Sequence, residues 1–347
     1  MTAGGREELV GDIDRVDRLV TAAIGDLGPI GVPDELARTL VVEALGLIAD
    51  DPATLDLKIA TAALAEMRDA FAMFAPHRNR PKVTIFGSAR AEAHEPVYEQ
   101  TRRVAHELAS RGWMVVTGAG PGLMQAGMEG AGRELSIGVS IRLPFETGAN
   151  PVIAGDEKYV SMKYFFTRKL MLVKESAGFV CLPGGFGTLD ETFELLTLTQ
   201  TGKGQPVPIV LLDTPGDPYW EAVDRFIREQ LVPRRMVDGH DTGLYLVTES
   251  CARAADEVTG FYRNFHSIRT VGDTLVIRLR RRPSADALEQ LSVRFADLLR
   301  SGRIRAVDPF RVEVRDDDNL DLERIALDLD PRRRAGLRRV IDALNEY

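Results

Sequence analysis

Arg168, Lys169 and Glu191 are the side chains of this sequence whose types and spacing can do chemistry, and the turn between them supplies what they would act on. Residues 183–188 read Pro-Gly-Gly-Phe-Gly-Thr, after a short apolar run at 178–182 and before a segment carrying Asp190, Glu191 and Glu194. A strand, a Gly-rich turn and a helix start make an anion pocket, because unpaired backbone N–H groups point outward there and the helix dipole favours negative charge. Gly184, Gly185 and Gly187 let those N–H groups approach a phosphate without a Cβ in the way. The Thr188 hydroxyl can cap the helix or bond the phosphate. Acids at a helix start also complement the dipole alone, a reading that suits Asp190 better than Glu191. An acid and a cation beside such a pocket are what hydrolysis of a phosphorylated small molecule requires.

The elements that must hold these residues are legible as alternation. Apolar runs at 82–86, 113–117, 137–143, 178–182 and 207–213 read as short buried strands. Helical patterns separate them, ending near Arg111-Gly112 and covering 164–175, 188–199 and 219–231. Strands alternating with helices predict an α/β fold, a Rossmann-like doubly wound parallel sheet covered on both faces. Ligands sit at the carboxyl ends of such strands. Those ends carry Gly87-Ser88, the 118–122 loop with Gly120 and Gly122, and the 183–188 turn, so three Gly-bearing loops should converge on one crevice.

The flanks differ in style. Residues 1–77 read as a helical region, with apolar faces at Leu9, Ile13, Val16, Val20 and Ile24, then Leu36, Leu40, Leu47 and Ile48, then Leu57, Ala60, Leu64, Met67, Phe71 and Phe74. A linker-like stretch at 76–81 leads into a Rossmann-like domain over 78–266, expected to carry the site. Residues 267–347 form a small α+β C-terminal domain, with strands expected at 274–280, 310–314 and 325–329 and helices at 287–299 and around Leu337 to Leu344. The triplets Arg280-Arg281-Arg282 and Arg332-Arg333-Arg334 read as solvated faces, with a regulatory anion site as the alternative.

Composition excludes several classes. With 44 basic against 52 acidic residues the net charge is −8, so nothing pulls the chain toward nucleic acid or an anionic membrane, and any phosphate site must be local. No run approaches the ~18 apolar residues of a membrane span. The first residues lack an apolar stretch, and the two lone cysteines, Cys181 and Cys251, fit a reducing compartment, so the cytoplasm is expected. The five histidines are scattered without ligand spacing, and no metal or other cofactor is expected. The loop at Gly118 fails the dinucleotide fingerprint, since Leu123 stands where its last glycine belongs, and no P-loop is present.

From Gly87 to about Gly260 the sequence resembles the Lonely Guy (LOG) family, also labelled lysine decarboxylase-like. The residues that carry the resemblance are the Gly-x-Gly-Pro-Gly-Leu-Met run at 118–124, Arg168-Lys169, and Pro-Gly-Gly-x-Gly-Thr-x-x-Glu ending at Glu191. Where shorter members have Met-His-x-Arg-Lys, this chain has Tyr164-Phe-Phe-Thr167 before Arg168. The resemblance implies a phosphoribohydrolase that splits the N-glycosidic bond of a nucleoside 5′-monophosphate, AMP or a cytokinin riboside monophosphate, into free base and ribose 5-phosphate. It implies Arg168 and Glu191 as the catalytic pair. Gly184, Gly185, Gly187 and Thr188 would bind the phosphate with Lys169 nearby, and Gly120 and Gly122 would line the nucleotide site beside Ser88. It also implies a homo-oligomer, dimeric or larger, and long bacterial relatives suggest the flanks as places for an effector. The decarboxylase label finds no support, since nothing singles out a Schiff-base lysine. The competing expectation is a non-hydrolytic nucleotide-binding or molybdenum-cofactor-carrier-like protein on the same scaffold. The presence of both Arg168 and Glu191 favours the enzyme.

Overall fold

The computed structural model describes residues 21–22, 25, 34–144 and 148–347. Contacts divide the chain into Met1–Ala65 and Glu66–Tyr347. In the first unit, α1 (Asp34–Ala49) leaves Leu36, Leu40, Leu47 and Ile48 in solvent. The face expected from Leu9 to Ile24 lies outside the described residues. Helix α2 (Thr54–Phe74) crosses the division. Its expected stripe through Phe71 is rotated: within the second unit α2 buries Glu66, Ala70 and Phe74, at i, i+4 and i+8, while Phe71 stays exposed. A charged residue thus occupies a core-facing position, because partners described below satisfy it.

The second unit holds two sheets. The larger follows β1 (Lys82–Phe86), α3 (Pro96–Ser110), β2 (Met114–Thr117), α4 (Leu123–Ala131), β3 (Ser136–Ile141) and β4 (Tyr159–Met162). It continues through α5 (Phe165–Lys174), β5 (Gly178–Cys181), α6 (Phe186–Thr201), β6 (Ile209–Leu212), α7 (Tyr219–Phe226), β7 (Leu246–Thr248) and α8 (Cys251–Gly260). All seven strands are parallel, in the order β4-β3-β2-β1-β5-β6-β7. This is the doubly wound α/β layer that the alternation implies. Alternate residues of one strand feed opposite cores. Met114 and Val116 join Phe74, Phe179 and Trp220 on one face, whereas Val115 joins Val104, Leu108 and Val258 on the other. Strands buried on both faces are continuous apolar runs for this reason. Winding reverses at β1, whose neighbours are β2 and β5, so the crevice of the topology opens beyond the carboxyl ends of β1 and β5.

The smaller sheet is antiparallel, in the order β10-β11-β9-β8, from β8 (Phe265–Val271), β9 (Thr274–Leu279), β10 (Leu299–Ala306) and β11 (Glu323–Leu329). Helices α9 (Ala285–Arg294) and α11 (Leu337–Leu344) cover it, packing Leu288, Leu291, Val340 and Ile341 on Ile277 and Ile325. Residues 310–314 do not form the expected strand. They fall in a short helix, α10 (Arg311–Arg315), because Glu313 reaches back to the Phe310 N–H at 3.1 Å while Arg278 and Arg324 hold its carboxylate. Among the described residues no helix is long and apolar enough to cross a membrane.

Candidate functional site

Three Gly-bearing loops meet at the β1/β5 crevice through backbone bonds. Ser88 N–H donates to Pro183 O at 3.2 Å, and Leu123 N–H donates to Ser88 O at 2.9 Å, so Ser88 is stitched between the other two loops. Two glycines make the approach feasible. Gly122 has φ +65°, and a Cβ there would strike the Ser88 and Ala89 backbone. A Cβ at Gly184 would overlap the Thr188 side chain. Together the loops border a cleft of about 760 Å³.

The cleft is lined by Ser88, Gly120, Arg168, Gly184, Gly185, Gly187, Thr188 and Glu191, so the structure brings together most of the residues chosen from sequence. Gly122 and Lys169 are not on its lining. Gly122 shapes the turn that receives Ser88. Lys169 bonds Asp190 and Glu194, each at 2.7 Å, and so links α5 to α6. Burial alone would lower the Lys169 pKa, but these two carboxylates raise it. Asp190 therefore has a partner in Lys169 as well as a helix dipole to complement.

Helix α6 starts at Phe186, with Gly185 as its N-cap and no side-chain cap bond. Thr188 is thus the third residue of the helix and not its cap, and residues 185–188 of this start line the cleft. A Cβ at Gly185 or Gly187 would meet nothing within 4 Å. Internal packing does not demand glycine at these two positions, and the open space above them is where an anion would lie against the backbone. The hydroxyl of Tyr219 donates to Gly184 O at 2.7 Å and braces this turn from α7.

Glu191 is 6% exposed, and its Oε2 is buried with no hydrogen-bond partner. Desolvation raises its pKa to about 7, against the opposing pull of Arg168 and Lys169. Arg168 lies on α5 and donates its Nε to Val139 O of β3 at 3.0 Å. Its guanidinium runs over Gly118, where a Cβ would overlap Nη2. In the sequence Gly118 heads the 118–124 run; that it clears a path for Arg168 is visible only in the fold. Met124, which closes the 118–124 run, and Phe165, from the run before Arg168, also line the cleft, as do Arg90 and Leu143, which no motif singles out. The arrangement can seat an anion at the α6 start, hold a sugar-sized group beside a carboxylate, and set a fixed cation across from it.

The family model described as "Possible lysine decarboxylase" matches residues 122–258. A protein of Oryza sativa subsp. japonica, named a probable cytokinin riboside 5′-monophosphate phosphoribohydrolase, is 29% identical over 169 residues, covering 47% of this chain and 74% of that protein. The pyrimidine/purine nucleotide 5′-monophosphate nucleosidase of Escherichia coli K12 is 28% identical over 144 residues, covering 39% of this chain and 32% of that protein. Among solved structures, a molybdenum cofactor carrier protein from Chlamydomonas reinhardtii matches 52% of this chain and 97% of its own, at 20% identity and a TM-score of 0.35.

Proposed function

As a member of the Lonely Guy (lysine decarboxylase-like) family, this chain is, we propose, a hydrolase of the N-glycosidic bond of a nucleoside 5′-monophosphate. The products are the free base and ribose 5-phosphate, and AMP or a cytokinin riboside monophosphate is the substrate. The observation that carries this reading is Glu191, a buried carboxyl with an unpartnered oxygen beside an anion-ready helix start. A buried polar atom left unpaired is costly to the fold, and such groups are kept where a ligand completes them.

In this reaction the 5′-phosphate rests on the N–H groups of residues 184–188, with the Thr188 hydroxyl as a further donor. That remote binding energy sets the ribose over Glu191. Cleavage of the C1′–N bond sends its electron pair to the base and leaves positive charge on the ribose, as in glycoside hydrolysis. Ionised Glu191 stabilises that cation and orients the attacking water, whose oxygen bonds C1′ while a proton passes to the departing base. Arg168 offsets the negative charge on the base or phosphate. A fixed charge of this kind is worth on the order of 10²–10³ in rate.

The test is a panel of nucleoside 5′-monophosphates incubated with the purified full chain, with free base and ribose 5-phosphate separated by chromatography. We expect both products in equal amounts, and a loss of about 10²–10³-fold in Glu191→Ala with the fold retained. Tight nucleotide binding without turnover would favour a binding module, and undiminished turnover in Glu191→Ala would remove Glu191 from the reaction.

A further inference from the structure

We propose that Glu66 is a positioning residue for Arg168: its buried carboxylate caps the helix that carries the guanidinium and ties down the strand that receives it. Glu66 is 6% exposed. Its Oε1 accepts the Lys163 N–H at 2.6 Å and Arg142 Nη2 at 3.1 Å, and its Oε2 accepts the Thr167 hydroxyl at 2.6 Å. Burial alone would raise its pKa. The Thr167 hydroxyl, the Lys163 and Tyr164 backbone N–H groups and Arg142 together hold it below the ordinary value, so it is ionised throughout the neutral range.

These partners share one feature: all are anchors of Arg168. Tyr164 is the N-cap of α5 and makes no side-chain cap bond. Glu66 supplies from another helix the acceptor and the negative charge that a helix start favours. Thr167 immediately precedes Arg168, within the first turn that this cap holds. On the other side, Arg142 follows β3 directly, and Val139 of β3 accepts the Arg168 Nε. One carboxylate therefore fixes both the origin of the Arg168 side chain and the strand end on which its guanidinium rests.

A purely structural role is less economical. Arg142 is 61% exposed at the side chain, so its pairing with Glu66 adds little stability, and what the buried carboxylate adds is its directed bonds to the Lys163 N–H and the Thr167 hydroxyl. Glu66 also lies outside the residues matched by the family model, 122–258, on a helix that contributes nothing to the cleft lining.

The kinetic half of the test rests on the hydrolase reading; the other half does not. In the full chain, Glu66→Gln keeps the volume and removes the charge and one acceptor. For AMP we expect kcat to fall about 10–100-fold, the scale of a misplaced catalytic group, with KM within about twofold because the phosphate turn is untouched. Made on top of Arg168→Lys, Glu66→Gln should add less than about twofold, since the two changes act through one group. Amide exchange read by mass spectrometry should accelerate at residues 163–168. Wild-type kcat in Glu66→Gln, or the full loss repeated on Arg168→Lys, would overturn the proposal. If the wild type cleaves no nucleotide, faster exchange confined to 163–168 still upholds Glu66 as the anchor of the Arg168 helix and only the reaction is lost. Unchanged exchange there sinks the proposal whatever the reaction. Should Glu66→Gln fail to fold, Thr167→Val removes one donor, leaves the charge in place and carries the same measurements.

Discussion

Two buried glutamates, one at each sheet, are treated in opposite ways. Glu313, beside the antiparallel sheet, is fully buried and saturated: Arg278 bonds its Oε1 at 2.7 Å, Arg324 at 3.3 Å, and Phe310 N–H donates to Oε2 at 3.1 Å. Burial would raise its pKa, and those partners hold it below the ordinary value instead. Glu191, at the parallel sheet, is nearly as buried and has an oxygen with no partner, and its pKa rises to about 7. A carboxylate with both oxygens partnered is part of a scaffold. One left incomplete at a cleft is held for something that arrives.

The widest separation between the two should come from removing them. Glu313→Ala leaves buried Arg324, 1% exposed at the side chain, with backbone carbonyls in place of its carboxylate, and takes one of two carboxylates from Arg278, which keeps Asp318 at 2.6 Å. We expect a loss of about 3–5 kcal/mol in denaturant unfolding, the usual cost of breaking one side of a buried pair, with cleft chemistry intact in the protein that remains folded. Glu191→Gln should do the reverse, losing turnover with no loss of stability. Equal destabilisation of the two variants would mean that Glu191 is as much a part of the scaffold as Glu313.

Their pH dependences should also have opposite signs. Glu313, with a lowered pKa, adds stability that is present above the unfolded value of 4.5 and is lost as pH falls through its folded value. Glu191, with a raised pKa, adds stability that is full below the unfolded value of 4.5 and is lost as pH rises through about 7. Melting temperature followed from pH 4 to 9 should therefore carry a decline between about 4.5 and 7 that levels off above, and that component should be missing in Glu191→Gln. Activity runs the other way: kcat/KM should rise through about 7 as Glu191 ionises. A flat activity profile across that range would mean that its charge is not what the reaction uses.

Gly118→Ala tests how Arg168 is held. The new Cβ would meet Nη2 of Arg168, the far end of a flexible side chain, and Sδ of Met124. The guanidinium can swing away, so the fold should survive with a cost under about 1 kcal/mol. Turnover should drop about 10–100-fold because the cation has left its place over the cleft. Unfolding instead of inactivation would make Gly118 a packing residue only.

Much of the parallel sheet is written in the sequence because its inner strands are buried on both faces, and burial on both faces leaves continuous apolar runs such as residues 209–212. The edges are not. Tyr159–Met162 is mostly half-exposed and Leu246–Thr248 is three residues long, so neither leaves a pattern. In the antiparallel sheet, β10 buries only Ile304 among Arg and Ser neighbours. The Phe310 to Val314 alternation reads as strand, yet the Arg278 and Arg324 charges around Glu313 decide the matter, and no local rule carries that information. The site divides the same way. The glycines and Glu191 stand in one contiguous motif. Gly118 as a passage for Arg168, and Glu66 as a cap for its helix, depend on residues 50 to 102 positions apart in the chain.

The smallest expected effect concerns Tyr219, whose side chain reaches the 183–188 turn from α7. Asp213, at the end of β6, accepts the Trp220 and Glu221 N–H groups at 2.7 and 3.0 Å and so fixes the start of α7. From there the Tyr219 hydroxyl donates to Gly184 O. Glu313 is held by several charged partners, whereas this brace is a single neutral hydrogen bond, worth about 1 kcal/mol. Tyr219→Phe removes it while keeping the ring, which packs edge-on against Trp220. The turn then samples more conformations, and each must be frozen again when a phosphate binds. The loss falls equally on substrate and transition state, so KM for a nucleoside 5′-monophosphate should rise about fivefold, the equivalent of ~1 kcal/mol, with kcat unchanged. The corresponding nucleoside, lacking the phosphate, should bind wild type and variant alike. A fall in kcat at constant KM would move the role of Gly184 from anchoring phosphate to aligning the bond that breaks.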